Sequence, residues 1–114
     1  MAQFFHPSRE DLSLTAVLAA LGDPARIGIM RKLMHAECGQ NCGSVAPCND
    51  MPRSTLSNHL RILREAGLIR THKQGVENIN IVRADDLEAR FPGLLDKIMS
   101  LYPISSAYHE TPQP

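Results

Sequence analysis

The stretch "MPRSTLSNHLRILREAGLI", residues 51–69, decides how this chain is read. Leu56, Leu60 and Leu63 recur at the three- and four-residue spacing that lines up on one face of a helix. Ser54 suits the N-cap of that helix, and Gly67 suits the stop that follows Ala66. The opposite face then carries Thr55, Ser57, Asn58 and Arg61, with His59 at its margin. Short hydrogen-bonding side chains near a helix N-terminus are what contact with base edges in a DNA major groove requires. A solvated polar face is common on amphipathic helices, so the flanking sequence has to decide between the two meanings.

Downstream, the period changes from helical to two. In "LIRTHKQGVENINIV", residues 68–82, Ile69 and Thr71 alternate with Arg70 and His72, and Ile79 and Ile81 alternate with Asn78 and Asn80. This predicts a β-hairpin that turns at Gly75, where a positive φ is cheap, and that carries His72, Lys73 and Gln74 near its tip. Upstream, "SLTAVLAAL" places Leu14, Val17, Leu18 and Leu21 on one helical face behind Ser13, a capping residue. Asp23 followed by Pro24 opens a second helix, with Ile27, Met30, Leu33 and Met34 as its inward stripe, fading near Glu37. Residues 38–52 are rich in Gly, Pro and Asn and leave room for at most one short helical turn. "RADDLEAR", residues 83–90, reads as an acidic connector, and "FPGLLDKIMSLY", residues 91–102, as a last helix stopped by Pro103. The plan is mainly α with a small β-hairpin, a winged helix-turn-helix. Residues 1–11 read as a flexible arm, 12–102 as one DNA-binding and dimerisation domain, and 103–114 as a flexible tail.

The chain has 114 residues and a formal net charge of zero. That total hides an asymmetry. Residues 53–73 hold Arg53, Arg61, Arg64, Arg70 and Lys73 against Glu65 alone, while the segments on either side are net acidic. Affinity for phosphate depends on where the positive charge lies rather than on its sum. No apolar run approaches the roughly 18 residues of a membrane span. No secretory leader is recognisable, so the reading is cytoplasmic. Ser, His and Asp occur, but there is no nucleophile elbow, Gly-rich phosphate loop or paired-carboxylate motif, which argues against an enzyme.

With these elements in view, "LAALGDPARIGIMRKL" followed by "STLSNHLRILREAGLI" resembles the ArsR family of bacterial winged-helix repressors. The helix opening L-x-D-P-x-R and the S-T-x-S-x-H-L-x-x-L-R-E-A-G-L run carry the resemblance, which extends over about residues 12–102. It implies a homodimeric transcriptional repressor that occupies operator DNA and is released by an effector. It also implies that Ser54, Thr55, Ser57, Asn58 and His59 approach DNA. The residues themselves add Arg53, Arg61 and Lys73 as contacts to the duplex. The rival reading is a winged-helix protein-interaction module without operator binding. One departure from the family is the Cys-, Gly- and Pro-containing stretch that stands where a short scaffold helix is usual.

Pairing is expected because one helix reads only a few base pairs, whereas two placed about 34 Å apart read two half-sites. The first and last helices offer Leu14, Val17, Leu18, Leu21, Leu94, Leu95, Ile98 and Tyr102 as the dimer interface. Cys38, Cys42 and Cys48 are spaced C-x3-C-x5-C. Three thiolates can hold a soft metal or metalloid ion, two can close a reversible disulfide, or all three have no sensing role, as small fillers or because the effector is another small molecule. No other cofactor is implied.

Overall fold

The computed structural model describes residues 4–35, 40–41 and 51–102. Helix α1 (Leu14–Ala20) begins at Ser13, whose side chain accepts from the Ala16 N–H. Helix α2 (Pro24–Met34) begins at Asp23, which accepts from the Ala25 N–H, with Pro24 at the first helical position. Strand β1 (Gln40–Asn41) follows, then α3 (Arg53–Glu65), β2 (Ile69–Gln74), β3 (Glu77–Val82), α4 (Ala84–Arg90) and α5 (Leu94–Leu101). Among the described residues no helix is long and apolar enough to cross a membrane.

The core is aliphatic, as the scarcity of aromatic residues demands. Val17, Ile29, Met30, Leu60, Leu63, Leu68 and Ile69 are all but sealed from solvent, joining α1, α2, α3 and the base of the hairpin. Helix α3 ends in a Schellman turn. The Gly67 N–H donates to the Arg64 carbonyl and the Leu68 N–H to the Leu63 carbonyl, both at 3.0 Å. Gly67 has φ +92°, and a Cβ there would lie 2.0 Å from Leu12 Cδ2. That position therefore excludes a side chain on both conformational and steric grounds.

Strands β2 and β3 form the antiparallel hairpin, with Gly75 at φ +67° in the turn. Strand β1 pairs antiparallel with the other edge of β3, giving the order β1-β3-β2. Two residues are too short for period-two patterning to show, so this strand was not legible in the sequence. The register sets Thr71 opposite Asn80 and Ile69 opposite Val82. Those residues share the inward face, so the buried phase of β3 carries Asn80, while Ile81 is 41% exposed. The polar pair is satisfied internally: Thr71 Oγ1 donates to Asn80 Oδ1 at 2.8 Å.

Several elements depart from expectation. The 83–90 segment is helix α4: Leu87 is buried, and Asp85 and Asp86 sit in its first turn, where the helix dipole favours acids. The last helix starts at Leu94 rather than Phe91, because Gly93 takes a left-handed conformation at φ +77°. Val17 and Leu21, expected at a dimer interface, are buried in the chain's own core. Leu14 and Leu18 on α1 remain 45% exposed. Leu94, Leu95, Ile98 and Tyr102 are half-buried against the core.

From Phe4 onward the N-terminal arm is docked rather than loose. Arg83, itself buried, donates to the Pro7 carbonyl at 2.7 Å and to Asp86 at 2.9 Å. Arg9 reaches the same carboxylate at 2.7 Å, and Arg90 donates to the Arg9 and Glu10 carbonyls. The two guanidiniums that bond Asp86 hold its carboxyl below the usual range. Leu12 is buried beside Gly67. His6 Nε2 accepts from the Thr71 N–H at 3.0 Å on the outer edge of β2.

Burial, and then the charges of Arg70, Arg64 and Arg83, lower the proton affinity of His6 from its ordinary value of 6.5. The folded state therefore favours the neutral ring. Its contribution to stability is full above that value and is lost as pH falls below it. The melting temperature should thus drop between about pH 7.5 and pH 5.5 more steeply in the unaltered chain than in His6→Ala. Equal slopes in a thermal melt series would remove His6 as the cause.

Candidate nucleic-acid interface

Helix α3 starts two residues earlier than a cap at Ser54 would set. Pro52, not Ser54, occupies the N-cap, and no side chain caps the first turn. Arg53, Ser54 and Thr55 therefore make up that turn, and their N–H groups lack the intrahelical acceptors available farther along. This leaves backbone donors, the positive end of the dipole and the Arg53 guanidinium at one spot, an arrangement suited to a phosphate.

Leu56, Leu60 and Leu63 are buried as expected, and their burial turns the rest of the helix outward. Arg53, Ser54, Thr55, Ser57, Asn58 and Arg61 are exposed, while His59 is half-buried on the flank nearest α2. At about 100° per residue, Ser54, Asn58 and Arg61 lie most directly opposite the leucines. Arg61 is held along this ridge: it donates to Asn58 Oδ1 at 2.5 Å and lies 3.4 Å from Glu65. A base that uses Asn58 as an acceptor must compete with that bond, whereas the Asn58 amide nitrogen carries two donors that the bond does not use. The sequence reading missed this coupling, although the i, i+3 and i, i+4 spacings of Asn58, Arg61 and Glu65 permit it.

Arg64, one of the basic residues counted between 53 and 73, is used internally. Its guanidinium lies 4.6 Å from the centre of the Phe4 ring and 3.4 Å from Thr71 Oγ1. Arg26 was also missed. Its Nη1 lies 3.1 Å from His59 Nδ1 and its Nε donates to the Ala20 carbonyl at 2.6 Å. The motif Asp23-Pro24-x-Arg26 gave the helix start but no sign of this cross-helix contact.

The hairpin projects His72, Lys73 and Gln74 into solvent. Val76, at the turn, is 93% exposed. Cys38, Cys42 and Cys48 lie outside the described residues. Among the described residues no three His, Cys, Asp or Glu side chains gather as metal ligands would.

A polar helix on a leucine floor, joined by a glycine turn to a basic-tipped hairpin, defines a winged helix-turn-helix domain. A helix-turn-helix domain model matches residues 21–72. The HTH-type transcriptional regulator YceK of Bacillus subtilis is 30% identical over 89 residues, spanning 78% of this chain and 89% of that one. The crystal structure of an ArsR family transcriptional regulator superposes with a TM-score of 0.61 at 26% identity, covering 78% of this chain and 94% of the other. A homodimeric winged helix-turn-helix DNA-binding domain from Mycobacterium bovis, solved by NMR, shares the fold at 20% identity with a TM-score of 0.62, covering 89% and 87%. The chain belongs to the ArsR family of helix-turn-helix transcriptional regulators, which are DNA-binding proteins and not enzymes.

Proposed function

We propose that the protein is a cytoplasmic repressor that grips a specific duplex operator as a two-fold pair, with one α3 in each of two successive major-groove faces. The observation that carries this reading is the exposed row Ser54, Thr55, Ser57, Asn58 and Arg61 mounted on three buried leucines. Ser57, Asn58 and Thr55 supply donors and acceptors to base edges, with His59 beside them. Arg53, the first-turn N–H groups, Arg61 and the wing's Lys73 supply phosphate contacts that set the register. Pairing would cover Leu14 and Leu18 on α1 together with Leu94, Leu95, Ile98 and Tyr102 around α5. Val17 and Leu21 support that surface from beneath.

The deciding experiment selects duplexes from a random pool and follows binding of the best one by fluorescence anisotropy across a salt series. Operator binding through several phosphates should weaken steeply as salt rises, because bound counterions are released. A flat salt response, or no selected sequence, would favour a protein-interaction module. Within the same assay, Arg61→Ala should weaken the selected duplex and a random duplex by similar factors and flatten the salt slope by about one charge. A loss confined to one base position would assign Arg61 to base reading.

Release by an effector completes the proposal. A soft ion or a disulfide at Cys38, Cys42 and Cys48 would act close in sequence to the start of α3. Thiol titration with and without zinc or arsenite, followed by DNA release, tests it. Three thiols that react identically in all conditions would leave these cysteines without a sensing role.

A further inference from the structure

Arg26 and His59 meet where α1 ends, α2 begins and α3 passes, and their chemistry fixes more than a position. A guanidinium is always charged, carries five N–H donors and has no acceptor. The ring nitrogen 3.1 Å from Arg26 Nη1 is Nδ1, so that nitrogen must present its lone pair. The single proton of a neutral imidazole then resides on Nε2, at the other end of the ring. A proton on Nδ1 would instead set two donors against each other across this contact.

Arg26 is itself rigidly placed. Its Nε donates to the Ala20 carbonyl at 2.6 Å, and its Nη1 lies 3.9 Å from Asp23 Oδ2. The other Asp23 oxygen accepts from the Ala25 N–H at 2.8 Å as the cap of α2. The Arg26 side chain is only 14% exposed. The Asp23-Pro24-x-Arg26 helix opening therefore ends in a clamp on a residue of α3.

We infer that Arg26 is a positioning residue for DNA reading, which locks His59 in the Nε2–H form so that α3 offers a hydrogen-bond donor at this flank. The chemical class selected is an acceptor: a purine N7 in the major groove, with a phosphate oxygen as the other source of the same chemistry. Amino groups of adenine and cytosine, which need an acceptor, are rejected there. A histidine without this clamp would sample both tautomers and both ring orientations and would discriminate less. The inference rests on the proposed reading of α3 as the DNA-contacting helix.

Two measurements test it. The first uses long-range proton–nitrogen correlation NMR on the full chain without DNA, with His59→Gln to assign the signals. His59 should appear as the neutral Nε2–H tautomer, and Arg26→Met should shift it towards a mixture of the two tautomers. A Nδ1–H tautomer, or a spectrum indifferent to Arg26→Met, overturns the inference.

The second uses the selected duplex with single 7-deazapurine or methylphosphonate substitutions. One such substitution should cost the unaltered protein about tenfold in affinity and cost Arg26→Met little, since its reference affinity is already lower. A weaker complex in the 7-deazapurine series identifies a base, and a weaker complex in the methylphosphonate series identifies a phosphate. If no position shows an effect that depends on His59, the donor role is overturned. If Arg26→Met does not fold, the unaltered spectrum still decides the tautomer, and His59→Gln against His59→Asn decides the donor. The glutamine amide reaches the Nε2 position and should retain the sensitive site, whereas asparagine should not. Absence of binding to any duplex would sink the proposed function and leave the tautomer result standing. Duplex binding without a His59-linked acceptor would do the reverse.

Discussion

Replacing Ser57 and Asn58 together by alanine should lower affinity for the selected duplex by about 2–4 kcal/mol, roughly 30-fold to 1000-fold. Each side chain is exposed on α3 and neither contributes to the aliphatic core. A hydrogen-bonded pairing between a side chain and a base edge is worth about 1–3 kcal/mol of discrimination. The lower part of the summed range is expected because Asn58 Oδ1 already accepts from Arg61 at 2.5 Å. A base must displace or share that bond, so the net gain from Asn58 in the complex is reduced. Alanine is also the better helix former at both positions, so the folded chain should be at least as stable as before. Calorimetry and duplex titration on the same sample separate the two effects. Unchanged affinity in the double variant would mean that another surface reads the DNA.

Leu63→Ala should do the opposite, damaging the fold first. Leu63 is fully buried on α3, and its carbonyl also receives the Leu68 N–H in the turn at Gly67. Removing three buried carbons and leaving a cavity costs about 2–5 kcal/mol. Against a total stability of about 5–15 kcal/mol for a domain of this kind, that is a large share. The melting temperature should fall by about 8–40 °C, given 4–8 °C per kcal/mol in small domains. Duplex binding would then decline for all sequences alike, in proportion to the folded fraction. A destabilisation below about 1 kcal/mol in urea titration would show that α3 does not rest on this core as described.

The parts of this molecule legible in the sequence are those with a long repeated period. The leucines of α3 and the stripe Ile27, Met30 and Leu33 of α2 span several turns, so their buried face announces itself. The caps Ser13 and Asp23 and the glycine turn at Gly67 are single-residue signals with strong physical causes. What escaped is short or non-local. Helix α4 has one buried residue, Leu87, and seven residues give its period no room to show. The phase of β3 follows from pairing Thr71 with Asn80, and two polar residues that satisfy each other look outward-facing until they are seen together. Charged residues were the least legible. Arg64, Arg83 and Arg26 each make an internal contact with a partner distant in the chain, Phe4, Pro7 and His59 respectively, while Arg53 and Arg61 are exposed. On α1, the periodic stripe was visible, but not which half of it the chain keeps for itself: Val17 is buried and Leu18 is not.

The imidazole that takes the Thr71 N–H has an effect beyond the fold of one molecule. Strand β2 is the open margin of its sheet, and an unguarded margin can template a strand from another chain, the first step towards a fibre. His6 plugs one such donor, Phe4 stacks on the neighbouring guanidinium, and the arm lies across the adjoining backbone. Clipping of these few residues by a protease would spare every group on the α3 face while baring the Thr71 N–H on the margin of the sheet.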